Sequence, residues 1–195
     1  MRTLELKKYQ RLNEIAEQGG IVIFGSDEDM SIPVGELRQA FSIESKMYNR
    51  SFSNLSIKDA LEVYKKIIEP LAPETLLLHI GSSDLAFFSE NPTEFDNKYR
   101  ELLGKIRLEN PKIRIAIVSL RNYTEDPQIQ EMNTHLKYIA DSEKCEYGDI
   151  SNKRVWNPKN TIDMVSFIYS LNYVRHLNNK RPLYDLVKMT FGYAL

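Results

Sequence analysis

The sequence predicts a three-layer α/β/α sandwich built on a five-stranded parallel sheet. Short apolar runs alternate with amphipathic helical patterns, an order that favours parallel strands joined by right-handed crossover helices. Two runs, residues 75–80 and 113–120, are almost continuously apolar, as expected for strands covered on both faces. A third run, residues 21–24, ends abruptly at Gly25 before small and acidic residues. In such sheets ligands bind beyond the carboxyl ends of the strands, so we expect the functional loops there.

Hydrophobic spacing predicts each element in turn. Residues 4–17 have apolar side chains at helical spacing, and Gly19-Gly20 end that helix before the first strand. The predicted strands are residues 21–24, 46–49, 75–80, 113–120 and 146–150. Amphipathic stripes predict further helices within residues 57–68, 95–106, 132–140 and 164–177. The prolines fall at or near the boundaries of these elements, where they do not interrupt a helix or a central strand.

Length and charge restrict the class of protein. The 195 residues suit a single domain, residues 1–195. The 26 basic and 27 acidic residues nearly cancel. No overall field would therefore attract the chain to nucleic acid or to an anionic membrane, and we expect neither as a partner. Cys145 is the only cysteine of the sequence, so it forms no intramolecular disulfide, which fits a reducing compartment.

The two ends of the sequence support expectations about location and assembly. The N-terminal segment mixes charged with apolar residues and lacks the apolar core of a signal peptide. No run approaches the roughly 18 apolar residues of a membrane span, so we expect a cytoplasmic protein. Residues 179–195 form a C-terminal tail with several apolar side chains. We expect this tail to pack on the body of the domain or on another subunit, the second case making a homodimer.

Four short polar segments accompany the predicted strands and the last helix. They are Gly25-Ser26-Asp27 after the first strand, residues 48–54 around the end of the second, residues 81–84 after the third, and residues 163–166 before the final helix. Their order and context resemble the four sequence blocks of the SGNH (GDSL-like) hydrolases, which are flavodoxin-like esterases and acyl hydrolases. The resemblance covers residues 20 to about 178. It implies the flavodoxin-like SGNH hydrolase fold, and we expect no cofactor.

The resemblance places the wrong residues at the catalytic positions. In the family the first block reads Gly-Asp-Ser and its serine is the nucleophile, whereas Asp27 stands at that position here. The last block is Asp-x-x-His, which corresponds to Asp163 and Ser166. No histidine occurs between Lys137 and Arg175, so the general base is missing as well. Serine catalysis needs both a nucleophile and a base, and the resemblance therefore implies a degraded catalytic set.

The family's oxyanion-stabilising positions are also altered. Asn54 corresponds to the glycine whose main-chain N–H stabilises the oxyanion, and asparagine can adopt the left-handed conformation that glycine allows. Ser83 stands where the family has an asparagine donor, and its shorter side chain must reach the same point. Gly25, Gly81 and Asp84 retain the pocket positions of the family pattern.

Two classes of function remain open. In the first, the domain binds a small acyl ester, a sugar-like ligand or a partner without turnover. In the second, it hydrolyses small or sugar acyl esters through an unorthodox set of Ser26, Asp27, Ser83 and Asp163, against which the missing histidine counts. His79 lies inside a predicted strand, where a buried, hydrogen-bonded core residue is expected. His135 and His176 lie on predicted helices and are interpreted as surface residues.

Other side chains near the loops have a functional and a structural interpretation. An acidic cluster of Asp27, Glu28 and Asp29 with Asp84 and Asp163 has the oxygen ligands that Mg²⁺ or Ca²⁺ prefers. We favour a solvated acidic loop that caps the next helix, and expect no metal. Aromatic side chains on or next to these loops could hold a ligand or could simply pack, and the sequence leaves both open. They are Tyr48, Phe52, Phe87, Phe88 and Trp156.

Overall fold

The computed structural model describes residues 2–40, 42–122 and 124–151. Its centre is a five-stranded sheet in the order β2-β1-β3-β4-β5, and every neighbouring pair of strands is parallel. The strands are β1 (Ile21–Gly25), β2 (Met47–Asn49), β3 (Thr75–His79), β4 (Arg114–Val118) and β5 (Glu146–Gly148). The predicted sheet and its parallel pairing are confirmed.

Helix α1 (Arg2–Glu14) precedes β1, and the other helices connect the strands, as the crossovers of a parallel sheet require. The connecting helices are α2 (Val34–Ala40), α3 (Ile57–Val63), α4 (Leu85–Glu90), α5 (Pro92–Glu109) and α6 (Pro127–Ser142). A π-helical turn, Tyr64–Ile68, continues α3 and is followed by a 3-10 turn, Glu69–Leu71. Among the helices in the described ranges, none is both long enough and apolar enough to cross a bilayer.

The sheet is buried on both faces, because alternate residues of one strand belong to two different apolar clusters. Val22 and Phe24 of β1 lie in the larger cluster, together with residues of α3, α5 and α6. Ile21 and Ile23 lie in a smaller cluster on the opposite face, where Val34 of α2 packs against them. This alternation follows from the two-residue period of a strand and agrees with the predicted α/β/α layers.

The element boundaries differ from the prediction at several ends. Strands β3 and β4 are shorter than residues 75–80 and 113–120, although Ile80 and Leu120 beyond their ends remain buried. The short helix α2 was not predicted, because seven residues that include Gly35 give little periodicity. The predicted helix within residues 164–177 and the tail, residues 179–195, lie outside the described residues.

Candidate functional site

Three polar loops meet at the carboxyl ends of β1, β2 and β3, which are neighbours in the sheet. Ser26 follows β1 directly, and its hydroxyl oxygen lies 3.1 Å from that of Ser83 in the turn after β3. The Ser26 hydroxyl also donates to Asp27 Oδ2 at 3.2 Å. Asn54, in the loop after β2, donates its main-chain N–H to the same oxygen at 2.8 Å. The structure therefore brings together residues from the first three sequence blocks.

The hydrogen-bond donors at this edge, Ser26, Ser83 and the Asn54 main chain, already have acceptors within the site. A hydroxyl has a single hydrogen, which Ser26 gives to Asp27, so Ser83 is the donor in the Ser83–Ser26 contact. Asn54 has a φ of 50°, the left-handed conformation that its position in the block pattern requires. The Asp27 carboxylate thus accepts the main-chain N–H at the position where the sequence places an oxyanion donor.

Burial separates Ser26 from its neighbours. Its exposed fraction is only 2%, whereas Asp27, Asn54 and Ser83 are all exposed. The surface at this edge of the sheet therefore presents a carboxylate, an asparagine and a hydroxyl, with the Ser26 hydroxyl beneath them.

A buried histidine–aspartate pair supports the loop after β1. His79 is the last residue of β3, and its Nδ1 lies 2.9 Å from both carboxylate oxygens of Asp29. The exposed fractions of the two side chains are 3% and 0%. His79 is therefore the buried, hydrogen-bonded residue that was predicted, but the prediction of a solvated acidic loop is wrong for Asp29. The 3-10 turn at Asp27–Asp29 directs Asp29 inward, where the histidine compensates its carboxylate.

Gly25 is required by the position of Asp29. A Cβ atom at residue 25 would lie 1.8 Å from Asp29 Oδ2, far inside van der Waals contact. Asn49 at the end of β2 donates its side-chain amide to the main-chain oxygen of Asp29 at 2.6 Å. The loop after β1 is therefore fixed from both neighbouring strands, and Gly25 leaves the space that the Asp29 carboxylate occupies.

Asp84 joins the loop after β3 to the start of α3. Both of its carboxylate oxygens accept the main-chain N–H of Ile57, at 3.1 and 2.9 Å. Burial raises the pKa of Asp84 to about 6, partly offset by this hydrogen bond. Gly81, with a φ of 141°, would place a Cβ atom 3.1 Å from Met132 Sδ. Gly81 and Asp84 therefore fix the backbone on both sides of Ser83.

Arginine 121 is a member of this region that sequence reasoning missed. Arg121 Nη1 lies 3.1 Å from Glu28 Oε2, and the Arg121 side chain is only 6% exposed. The pair joins the loop after β4 to the loop after β1. The only sequence feature that could have indicated Arg121 is its position just beyond a predicted strand. Arg121 and Glu28 are 93 residues apart, so no local spacing pattern connects them.

Several predicted site residues are not tested by the geometry. Asp163, Ser166, Trp156 and His176 lie outside the described residues. Within residues 2–40, 42–122 and 124–151, no group of three histidine, cysteine, aspartate or glutamate side chains is arranged to hold a metal ion.

The remaining aromatic and histidine predictions divide between packing and exposure. Phe52 and Phe88 are buried and belong to the core, whereas Tyr48 and Phe87 are half-buried. His135, interpreted as a surface residue, is instead half-buried. Its Nδ1 lies 3.0 Å from both carboxylate oxygens of Asp96, and its ring packs edge-on against Phe88. The helical stripe did not reveal this contact because Asp96 belongs to another helix.

Comparisons with known proteins identify the class of fold. No protein-family model matches the sequence, and no curated protein is significantly similar to it. Among solved structures, one match is a Streptococcus pneumoniae protein provisionally named as a platelet activating factor. The two structures superpose with a TM-score of 0.65 and 19% sequence identity, over 80% of this chain and 77% of the other protein's chain. An acetyl xylan esterase matches with a TM-score of 0.59 and 13% identity, over 87% of this chain and 96% of its own.

A GDSL-like lipase from Bacteroides thetaiotaomicron matches with a TM-score of 0.56 and 15% identity, over 74% of this chain and 77% of its own. At such identities the likeness is one of fold. The chain has the α/β fold of the SGNH (GDSL-like) hydrolases. The resemblance drawn from the sequence blocks is confirmed at that level, and the chemistry has to be argued from the site itself.

Proposed function

We propose that this chain is an SGNH-fold domain that binds a ligand or a partner and has lost ordinary serine esterase catalysis. One observation carries the proposal. The Asp27 carboxylate, at the family's nucleophile position, accepts the main-chain N–H of Asn54 at the family's oxyanion position.

This hydrogen bond opposes ester hydrolysis in two ways. An ester oxyanion needs preorganised donors, and loss of a single donor costs on the order of 100- to 1,000-fold in rate. Here the Asn54 N–H already donates to the Asp27 carboxylate, so the negative charge of an ester oxyanion would develop beside that of the carboxylate. The Ser83 hydroxyl, at the other donor position, gives its hydrogen to Ser26.

The histidines in the described part of the chain do not supply the missing base. His79 holds Asp29 through Nδ1, and His135 holds Asp96 in the same way. The hydrogen bonds of the Ser26 hydroxyl go instead to Asp27 and Ser83. The Ser26 hydroxyl therefore lacks the histidine base that ordinary serine catalysis uses.

The ligand we propose is a small acyl ester or a sugar-like molecule held at the exposed edge formed by Asp27, Asn54 and Ser83. Neighbouring structures include an acetyl xylan esterase and a GDSL-like lipase, which supports ligands of these classes. The hydroxyl and carboxylate groups at the edge suit hydrogen bonds with such polar ligands.

A second candidate is an active acyl-ester hydrolase with an unorthodox catalytic set. The Ser26 hydroxyl donates to the Asp27 carboxylate at 3.2 Å, and a carboxylate at that distance can accept a proton. The 2% exposure of Ser26 counts against this candidate, because an acyl carbon must reach the nucleophile.

Hydrolysis of short aryl esters separates the two candidates. The purified protein is assayed with aryl acetate and butyrate esters beside Ser26→Ala and Asp27→Ala, each shown to be folded by circular dichroism. We expect no turnover above that of the variants. Turnover that disappears in either variant would establish the hydrolase instead.

A gain of activity tests the assignment of the block positions. Asp27→Ser removes the carboxylate from the Asn54 N–H, and Ser166→His supplies the base that the last block lacks. We expect the double variant to hydrolyse aryl acetate measurably. Adding Ser83→Asn restores the second donor and is expected to raise the rate about 100-fold. A folded but inert triple variant would contradict the assignment.

A further inference from the structure

Helix α1 contacts the loop that carries Asn54, although α1 belongs to none of the four sequence blocks. The Tyr9 hydroxyl donates to the main-chain oxygen of Ser51 at 2.8 Å. Glu5 Oε1 accepts the Ser53 hydroxyl at 2.8 Å and the Ser53 main-chain N–H at 3.4 Å. Two side chains of α1 therefore hold the loop by its main chain and by one hydroxyl.

The remaining residues of the loop contact α1 as well. Arg50 donates through Nε to Asn13 Oδ1 at 2.9 Å, and its guanidinium lies 5.2 Å from the centre of the Tyr9 ring. The Tyr9 ring also packs edge-on against Phe52, with ring centres 4.9 Å apart. Each residue from 50 to 53 thus touches a side chain of α1.

The sheet holds this loop only up to Phe52. Main-chain bonds to β1 run from Arg50 N to Ile23 O at 2.9 Å and from Phe52 N to Gly25 O at 3.1 Å. Beyond that point Glu5 holds Ser53, and the next residue is Asn54 in its left-handed conformation. The last fixed point before the Asn54 donor therefore belongs to α1.

We propose that α1 is a strap that fixes the main-chain donor of the site, with Glu5 and Tyr9 as its positioning residues. The strap sets the direction of the Asn54 N–H, so it determines whether that N–H meets Asp27. The role is independent of which ligand the site binds and of whether that ligand is turned over.

The polar junction between α1 and the loop makes this role sensitive to single substitutions. Glu5 Oε2 and Ser51 Oγ are buried there and have no hydrogen-bond partner among the described residues. An unsatisfied buried polar group lowers local stability. Of the polar groups that Glu5 and Tyr9 place at this junction, Glu5 Oε1 and the Tyr9 hydroxyl are the ones that bond to the loop.

Amide hydrogen exchange, followed by NMR, tests the strap at Asn54. We expect Glu5→Ala to speed exchange of the Asn54 amide at least tenfold and to shift its proton resonance upfield, because its bond to the Asp27 carboxylate weakens. Tyr9→Phe, which removes one bond, should have a smaller effect in the same direction. Glu5→Gln keeps an acceptor oxygen and should restore most of the wild-type exchange and shift.

The matched control is Glu14→Ala, which removes an exposed carboxylate from the same helix and should leave Asn54 unchanged. Amides of β3 report global opening and should respond less than the Asn54 amide to these variants. The strap is overturned if Glu5→Ala leaves Asn54 exchange unchanged, or if it speeds β3 exchange by the same factor. If Glu5→Ala does not fold, Tyr9→Phe is judged by the same two criteria.

Discussion

Two histidine–aspartate pairs in this molecule share one geometry but differ in burial. In each pair Nδ1 lies equally far from both carboxylate oxygens, at 2.9 Å for His79 with Asp29 and at 3.0 Å for His135 with Asp96. The side chains of the first pair are 3% and 0% exposed, and those of the second are 29% and 12% exposed.

The difference teaches that burial, rather than contact geometry, decides what such a pair does. Where solvent reaches a pair, it screens the pair and competes for its hydrogen bonds. In the interior, removal of one partner leaves the other without a hydrogen bond that water could replace. The buried pair joins β3 to the loop after β1, next to the site, whereas the other joins α6 to α5.

The largest expected effect compares the two aspartates directly. We expect Asp29→Ala to lower the free energy of unfolding by about 3 kcal/mol, since the buried His79 ring loses the hydrogen bonds of its Nδ1 to Asp29. Asp96→Ala, the matched control, should lower it by less, about 0.5–1.5 kcal/mol, because water reaches part of this pair. Urea denaturation of both variants measures the difference. Equal losses would mean that burial does not distinguish the pairs.

A smaller effect is expected when the buried pair is disturbed without removing either member. Gly25→Ala places a methyl group where the Asp29 carboxylate lies, and overpacking of this kind costs about 1–3 kcal/mol. Gly35→Ala is the control, because a Cβ atom there meets nothing within 4 Å. It should stabilise the protein by about 0.5–1 kcal/mol, the helix preference of alanine over glycine. A neutral Gly25→Ala would show that Asp29 can move aside.

Asp84 extends the comparison to a buried carboxylate that is bonded to a main-chain N–H. Its pKa rises from an ordinary 3.8 to about 6 through burial, so the folded state binds the proton more tightly than the unfolded state. The resulting stabilisation is complete below about pH 4 and is lost as the pH rises through about 6. We expect the free energy of unfolding of Asp84→Asn, relative to wild type, to increase by about 1–3 kcal/mol from pH 4 to pH 7.

Urea denaturation at pH 4, 5.5 and 7 measures that trend for Asp84. The comparison across pH cancels any constant cost of placing an amide at residue 84. The matched control is Asp141→Asn, an exposed carboxylate on α6 that lies away from Asp84. A flat difference between wild type and Asp84→Asn across this range would contradict the raised pKa.

The sequence predicted the sheet and the meeting of its loops, because parallel strands place their carboxyl ends at one edge. It could not predict the inward turn of Asp29. Three successive acidic residues suggest a solvated loop, and the partner that compensates Asp29 lies 50 residues away. The contacts of Glu5 and Tyr9 were hidden for the same reason, since helical periodicity identifies a packed face but not the loop it packs on.

The position of Ser26 also determines how this protein would respond to covalent chemical surveys. Reagents such as fluorophosphonates label serine hydrolases by forming a bond to an accessible, activated serine oxygen. The Ser26 oxygen belongs to a residue that is 2% exposed, and its hydrogen points to a carboxylate. We therefore expect such a probe to leave Ser26 unlabelled, so an inventory based on labelling would not detect this fold through that serine.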